Sequence, residues 1–409
     1  MSESNFRDFV PLAGKSKIAG GTARDHANAV TKNKIIMDIF SEWKNLLAQP
    51  FKGITNDGLV KEGLFFLRRE SAPTDVATKV ARNLLDHLSA TEREKTCFDV
   101  NSQKWRDWQN TEIYVEVHGL RLESLKPFLR DLVLQLIKVS LSEKGFRKTR
   151  DVMKLNQFLG DIVGGVSVLG EWSYLFCLFG TPSLTSPWGW QLFGHHLALN
   201  CLFIEEQVVL SPTFMGAEPN YADEGRFMGI RVFQDEERQG LEFMQALSKD
   251  QQKQALVASS MVGGDLHEGR RKLADGLHLG GAYQDNRIIP YEGLRGNLLT
   301  RLQRNQLLEL VQEYLCTLPT GPLNARMADI ERHLDETHFC WIGSRDENKP
   351  FYYRIQSPIN LIEFDHHSGV YLTNEEPANF HVHTLVRTPN GNDYGIDLIR
   401  QHYAQIKHS

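Results

Sequence analysis

Little in this sequence is in excess. Its 409 residues include five cysteines, Cys97, Cys177, Cys201, Cys316 and Cys340, an odd number, widely scattered and without a Cys-x-x-Cys pair. That pattern excludes a disulfide framework and a zinc ribbon. No apolar run approaches the ~20 residues needed to span a bilayer. The N-terminus, Met1 to Asp8, lacks the basic and apolar regions of a signal peptide. The expected setting is therefore reduced and cytoplasmic, with no membrane partner. Charge of one sign is also missing: 46 basic residues face 51 acidic ones, a net −5, which gives no electrostatic reason to expect nucleic acid. There is no Gly-x-Ser-x-Gly elbow, no Walker loop and no His-Glu-x-x-His helix. Gly263-Gly264 and Gly280-Gly281 do not sit between a strand and a helix start, so they do not indicate nucleotide binding. No internal repeat is evident.

What remains is an ordinary globular composition, 41% hydrophobic and 24% charged, long enough to bury a sizeable core as one large domain or two. Residues 1–25 are polar and rich in small side chains, the mark of a loose tail. The part from 26 to 165 reads as mainly helical. Apolar positions recur at helical spacing over Asn28–Leu47, Val76–Leu88, Leu122–Leu141 and Lys148–Leu159, and Ala90 looks like a helix start. Residues 166–409 change character. Glu171–Gly180 is a short aromatic-rich strand, Trp188–Phe203 reads as one long strand, and Val208–Phe214 as its hairpin partner. Helices are predicted over Glu237–Leu247, Lys249–Ala258 and Leu294–Leu315, around an irregular glycine-rich stretch at 261–285. Strands resume at Phe351–Gln356, Ile359–Asp365 and Phe380–Thr388, and a helix from Asp393 to Gln405 closes the chain. The fold class is α+β: an antiparallel sheet or partial barrel built from about 171–235 and 338–390, surrounded by helices. The helical and α+β parts are expected to form one continuous structural unit.

Two histidine pairs carry the chemistry. His381-Val382-His383 has i, i+2 spacing, which on a strand puts both imidazoles on one face and lets both reach one ion. His195-His196 lies in the Trp188–Asn200 stretch, where alternation sends the two rings opposite ways. His196 falls on the face that is small or polar after Gly194. His195 falls on the apolar face, in a core or supporting role. Glu363, in Ile359–Asp365, is a carboxylate within an apolar strand, costly to bury unless a cation such as Arg354 or a metal meets it. His196, His381, His383 and Glu363 give a donor set suited to Fe(II), Cu(II), Mn(II) or Zn(II), with His195 as a further candidate. The plain alternative is that these side chains are structural, bonded to backbone and arginines. His366-His367 reads as a pair of solvated loop histidines that with Asp365 could rim the site, and Asp265-Leu266-His267-Glu268 is ligand-like only in composition. Trp188 and Trp190 are candidates for a pocket wall, against a core role.

These residues also carry a resemblance. Phe179–Ser183, Pro187–Trp190, Gly194–Asn200 and Pro212–Ala217, followed by Tyr353–Pro358, Ile362–Asp365, His381–Thr384 and Asn392–Leu398, resemble a family catalogued only as domain of unknown function 3500. The resemblance brackets most of residues 120–405. It implies a single unit containing both histidine pairs, and it supplies no reaction. The chain departs from the family pattern after Asp365, where His366-His367-Ser368-Gly369 replaces an Asn-rich stretch, which leaves the role of that pair open.

The reading that results is a mononuclear metal-dependent enzyme acting on a small organic molecule. His196, His381, His383 and Glu363 would hold one divalent transition metal. Arg354 and Gln356 would bind a polar substrate group, Trp188 and Trp190 would wall the pocket, and Asn200 and Asp365 would support them. A metal held by three or four protein ligands can keep a position open for substrate. Oxidoreductase or oxygenase chemistry leads, because the second carboxylate-rich motif of two-metal hydrolases is absent. A zinc hydrolase or hydratase, with Glu363 or Asp365 as base, is the runner-up. A non-catalytic small-molecule or metal-binding protein is the third reading.

Overall fold

A computed structural model describes residues 5–408 of the chain, apart from 13, 19 and 114–117. The helices come first: α1 (Ala23–Val30), α2 (Lys34–Leu47), α3 (Thr74–His87), α4 (Ala90–Thr96), α5 (Pro127–Ser140) and α6 (Glu143–Val163). Later come α7 (Gln234–Ala246), α8 (Lys249–Ala255), α9 (Arg301–Leu315), α10 (Thr320–Arg332) and α11 (Ile396–His408). The strands are β1 (Cys97–Phe98), β2 (Leu120–Arg121), β3 (Tyr174–Phe179), β4 (Trp188–Gly194), β5 (Leu197–Ile204), β6 (Gln207–Ala217), β7 (Leu256–Ala258), β8 (Leu294–Arg295), β9 (His338–Gly343), β10 (Phe351–Gln356), β11 (Leu361–His367) and β12 (Ala378–Arg387).

These strands form one open sheet in the order β1-β3-β4-β5-β6-β12-β11-β10-β9-β7, with β2 on β3 and β8 on β9. The central pairings are antiparallel, and the two parallel ones, β1 on β3 and β7 on β9, lie towards the edges. The α+β class is therefore as expected, with an open sheet rather than a closed barrel. Among the described residues no helix is long and apolar enough to cross a membrane.

Three sequence readings need correction, each for a local reason. The long strand Trp188–Phe203 is a hairpin: Gly194 pairs with Leu197 and Trp188 with Phe203, leaving His195-His196 as the two-residue turn. Alternation breaks at that turn, so the faces assigned across it do not hold. The helix predicted from Leu122 starts at Pro127, whose fixed φ and missing N–H suit the first helical position. The helix predicted from Leu294 starts at Arg301. Thr300 accepts from the Gln303 backbone N–H and Gln303 bonds back, a capping box that fixes the N-terminus there.

Cross-strand partners share a face, and the two faces of this sheet differ. One is apolar and packs on helices: Trp190 donates its indole N–H to the Ser140 hydroxyl on α5 (3.0 Å), and Tyr353 its hydroxyl to the Glu236 carbonyl on α7 (2.9 Å). A single hydrophobic cluster runs from Phe6 to Ile399 through this layer. The other face carries Gly216, His383, Asp365 and Tyr352 in one cross-strand row and Phe214, Leu385, Glu363 and Arg354 in the next, with Arg387 beyond them. Most of these are polar, and Arg354, Glu363, Asp365 and Arg387 are all at most 1% exposed.

The glycine-rich stretch predicted to be irregular covers that polar face as a strap. Leu279 and Gly280 donate backbone N–H groups to Glu363 (2.8 Å each), and Tyr352 adds its hydroxyl (2.7 Å). Arg387 donates to the carbonyls of Gly280 and Gly281 and to Asp285 and Asp393 (2.6–2.9 Å). Further along, Gln356 donates to the Ile289 carbonyl and Arg354 to that of Pro290. Strap and sheet thus supply many of each other's hydrogen bonds, as a dry interior demands.

Arg387 is the hub of this contact, so Arg387→Met should leave the buried Asp393 without a cation and Asp285 with Arg106 as its one remaining cation. The expected loss is about 3–5 kcal/mol, read as a lowered midpoint in urea unfolding. An unchanged midpoint would remove the network from the account of stability.

Candidate metal centre

Two elements bring three imidazoles together. His381 and His383 project from β12 on the polar face, as their spacing requires. His196 comes from the β4–β5 turn, where it adopts φ +62°, a left-handed conformation that histidine accepts more readily than most residues. Its N–H donates to the Asn110 carbonyl (3.1 Å) and its carbonyl accepts from Gly216 N–H (2.8 Å), which seats the turn beside β6. Between turn and β12 lies Gly216: a Cβ there would stand 2.7 Å from His383 Cδ2 and 3.0 Å from His196 Cδ2. Only glycine leaves room for both rings.

The three Nε2 atoms converge. His381 Nε2 lies 3.2 Å from His196 Nε2 and 3.1 Å from His383 Nε2, and one nitrogen from each of the three side chains lies within 4.8 Å of the others. His381 Nδ1 faces the Ser368 carbonyl at 2.9 Å. A carbonyl can only accept, so the proton sits on Nδ1 and His381 Nε2 is a bare lone pair. His196 Nε2 and His383 Nε2 both face that lone pair: as donors they would have to share it, and as lone pairs they would oppose it. A cation between the three nitrogens resolves that conflict, and the residues fit a metal on this ground. Burial holds all three histidines well below the ordinary imidazole pKa, with the neighbouring imidazoles adding to the effect. They are therefore neutral, the form that ligates.

Carboxylates stand behind the rings. Glu218 lies 3.8 Å from His381 Nδ1 and accepts backbone N–H groups from Val370, Tyr371 and Leu372 (2.8–3.1 Å). Burial pushes Glu218 up to about 7 despite these donors. Asp365 Oδ1 lies 3.8 Å from His383 Nδ1 and 3.5 Å from His278 Nε2, and burial raises its pKa well above the ordinary carboxylate value. Such outer groups orient ligating imidazoles in metal sites generally.

The structure separates the other candidates. His195 turns away from the triad: its Nδ1 meets Asn156 Oδ1 on α6 at 2.7 Å, and Asn156 is fixed in turn by the Gly170 carbonyl. His196 is thus the member of the pair that reaches the site. Glu363, expected as a ligand, shares the triad's sheet face but is not among the converging groups, because its oxygens are taken by the strap and Tyr352. Burial opposes its ionisation, yet His278, Arg354, the Leu279 N–H and the Tyr352 hydroxyl together lower its pKa. Arg354 donates to Glu292 and Pro290 and Gln356 to Ile289, so both hold the strap. Asn200 is occupied by Gln191 and the Pro212 carbonyl. Trp188 and Trp190 point to the opposite, helix-packed face, since both precede the turn at odd register from Phe193; the structure does not bring them to the histidines.

Two residues escaped the sequence reading, and a third, considered there for the rim of the site, is placed more deeply than expected. His367, expected in a solvated loop, is buried at a bulge in β11 with its ring 5.0 and 4.6 Å from those of His381 and His383. His366 faces the other way, its Nδ1 accepting the Phe351 N–H. His278, on the strap, is 1% exposed, with Nε2 3.5 Å from Asp365 Oδ1. Its signal was its place beside Gly280-Gly281, in a stretch whose small residues allow close approach to a sheet. Glu218, at the end of β6, gave no signal, because nothing local shows that loop 370–372 returns to it.

Imidazole nitrogen shifts test the geometry directly. In histidine-labelled protein at neutral pH, His381 should appear as the Nδ1–H tautomer; the Nε2–H form would contradict the Ser368 contact.

Residues 70–396 match the model of a family described as "Protein of unknown function (DUF3500)", as the motif resemblance implied. No curated protein and no solved structure matches the chain.

Proposed function

The chain belongs to the DUF3500 family, and we propose that it is a metal-dependent enzyme acting on a small organic molecule. The observation that carries this reading is the convergence of three neutral imidazoles whose lone pairs cannot satisfy one another. The ligand set is His196, His381 and His383, without Glu363. Three protein ligands leave positions for substrate or a small co-reactant. When bound, an iron or copper ion would supply electron transfer, and a zinc ion Lewis acidity.

The chain's own residues define the rest. Ser368 fixes the His381 tautomer, and Gly216 sets the spacing of His196 and His383. The strap excludes water from the polar face: His196, His381 and His383 are 3, 0 and 5% exposed. That shielding favours oxidoreductase chemistry, in which reactive species must be kept from bulk solvent. Zinc-dependent hydrolysis is the second reading. It is supported by Asp365 Oδ1, which is buried without a hydrogen-bond partner beside His383 and His278, where a base would stand.

Metal analysis of freshly purified protein tests the proposal. We expect about one transition metal per chain, lost in His381→Ala while the far-ultraviolet dichroism is retained. Iron or copper supports the redox reading and zinc the hydrolytic one. A wild type that holds no metal even after metals are offered would leave a non-catalytic binding protein. Gly216→Ala should keep the fold but weaken metal retention against a chelator about 10-fold or more, within the range found when groups supporting a metal site are changed. Unaltered retention would show that the ring spacing is not set there.

A further inference from the structure

A cavity of about 400 Å³ opens between α2, the strap and β4, within the size range of small-molecule sites. Its walls include Phe40 and Trp43 of α2, Tyr283 of the strap and Phe193 of β4. Trp43 stacks on Tyr283 with ring centroids 4.9 Å apart and planes 21° apart, while Phe40 meets Trp43 edge-on at 5.2 Å. Phe193 pairs with Ala198 across the hairpin and lies on the triad's side of the sheet. Gln109 also lines the cavity, and the next residue, Asn110, accepts the His196 N–H. The cavity therefore shares the strap and a sheet face with the site, and two of its lining residues, Phe193 and Gln109, are close in sequence to His196 and to the residue that seats it.

Its polar lining comprises Lys44, Asp107, Gln109 and the hydroxyls of Thr31 and Ser41. Asp107 is already bonded by the Lys104 ammonium (2.6 Å) and the Tyr283 hydroxyl (3.1 Å), so it presents no uncompensated charge. Gln109 donates its amide N–H to the Ile113 carbonyl (2.7 Å), which leaves its oxygen to accept. Met37 lines the cavity while 54% exposed, so there is access from solvent along α2. Flat aromatic walls, the Lys44 ammonium and the Gln109 oxygen select a flat ligand bearing a hydroxyl, which can accept from the one and donate to the other.

We propose that this cavity binds a planar aromatic molecule bearing a hydroxyl group, such as a phenol, and that it is the substrate pocket of the histidine site. The substrate role rests on the metal-enzyme reading; the binding does not. The test is calorimetric titration of the full-length protein with 2-naphthol, with metal content measured on the same preparations. Ser41, exposed on α2, lines the cavity, so Ser41→Trp fills it without deleting a core contact. The wild type should show one saturable site, Ser41→Ala the same affinity, and Ser41→Trp at least a 10-fold loss with metal content and dichroism unchanged. No saturable binding in the wild type, or equal affinity in Ser41→Trp, would overturn the proposal. His381→Ala should still bind 2-naphthol. A metal-free wild type that binds it and loses it in Ser41→Trp would sink the metal reading alone and leave the pocket standing.

Discussion

The structure depends on burying a sheet face that is not apolar. Glu363, Asp365, Arg354, Arg387 and five histidines stand on or against one side of a sheet and are almost wholly removed from water. A charge in such a place is tolerated only with partners in good geometry. The strap over 277–290 provides them largely from its backbone: N–H groups for Glu363 and carbonyls for Arg387, Gln356 and Arg354. A segment without regular structure has unpaired backbone groups, and here that becomes its use. The opposite face, rich in aromatic and aliphatic side chains, packs on helices in the ordinary way.

Within that polar layer the ionised groups hold the architecture while the neutral ones form the site. Glu363 and Arg387 are fully engaged in fastening the strap. The three converging imidazoles are engaged with one another and with Ser368, in an arrangement that leaves lone pairs facing inward. Their positions are set by rigid elements, a central strand and a two-residue hairpin turn, with the missing side chain of Gly216 as the gap between them. Sites built on strands and tight turns keep their geometry without help from the ligand. The strap closes the same space, and its Tyr283 forms a wall of the neighbouring cavity with Trp43.

The strap also explains why so few supporting groups are local in sequence. Leu279 and Gly280 reach Glu363, loop 370–372 reaches Glu218, and Asn110 reaches His196, each across a long separation. Each contact uses a backbone group, whose chemistry is the same for every residue, so no side-chain pattern announces it.

The sequence by itself determined the fold class, the identity of most strands and the pairing of His381 with His383, because alternation along a strand is a local property of the backbone. It also singled out the second histidine pair and the family motifs around it. Tertiary structure decided the rest. A turn at His195-His196, invisible to period-2 reading because the flanking strands are both apolar, reversed the faces and sent Trp188 and Trp190 to the helix side. Glu363 looked like a ligand because a buried carboxylate needs a cation or donors; which of these it finds depends on a strap more than 80 residues away in the chain. His278 and His367 joined the site for the same reason, since burial and convergence are properties of the packed chain and not of any stretch of it.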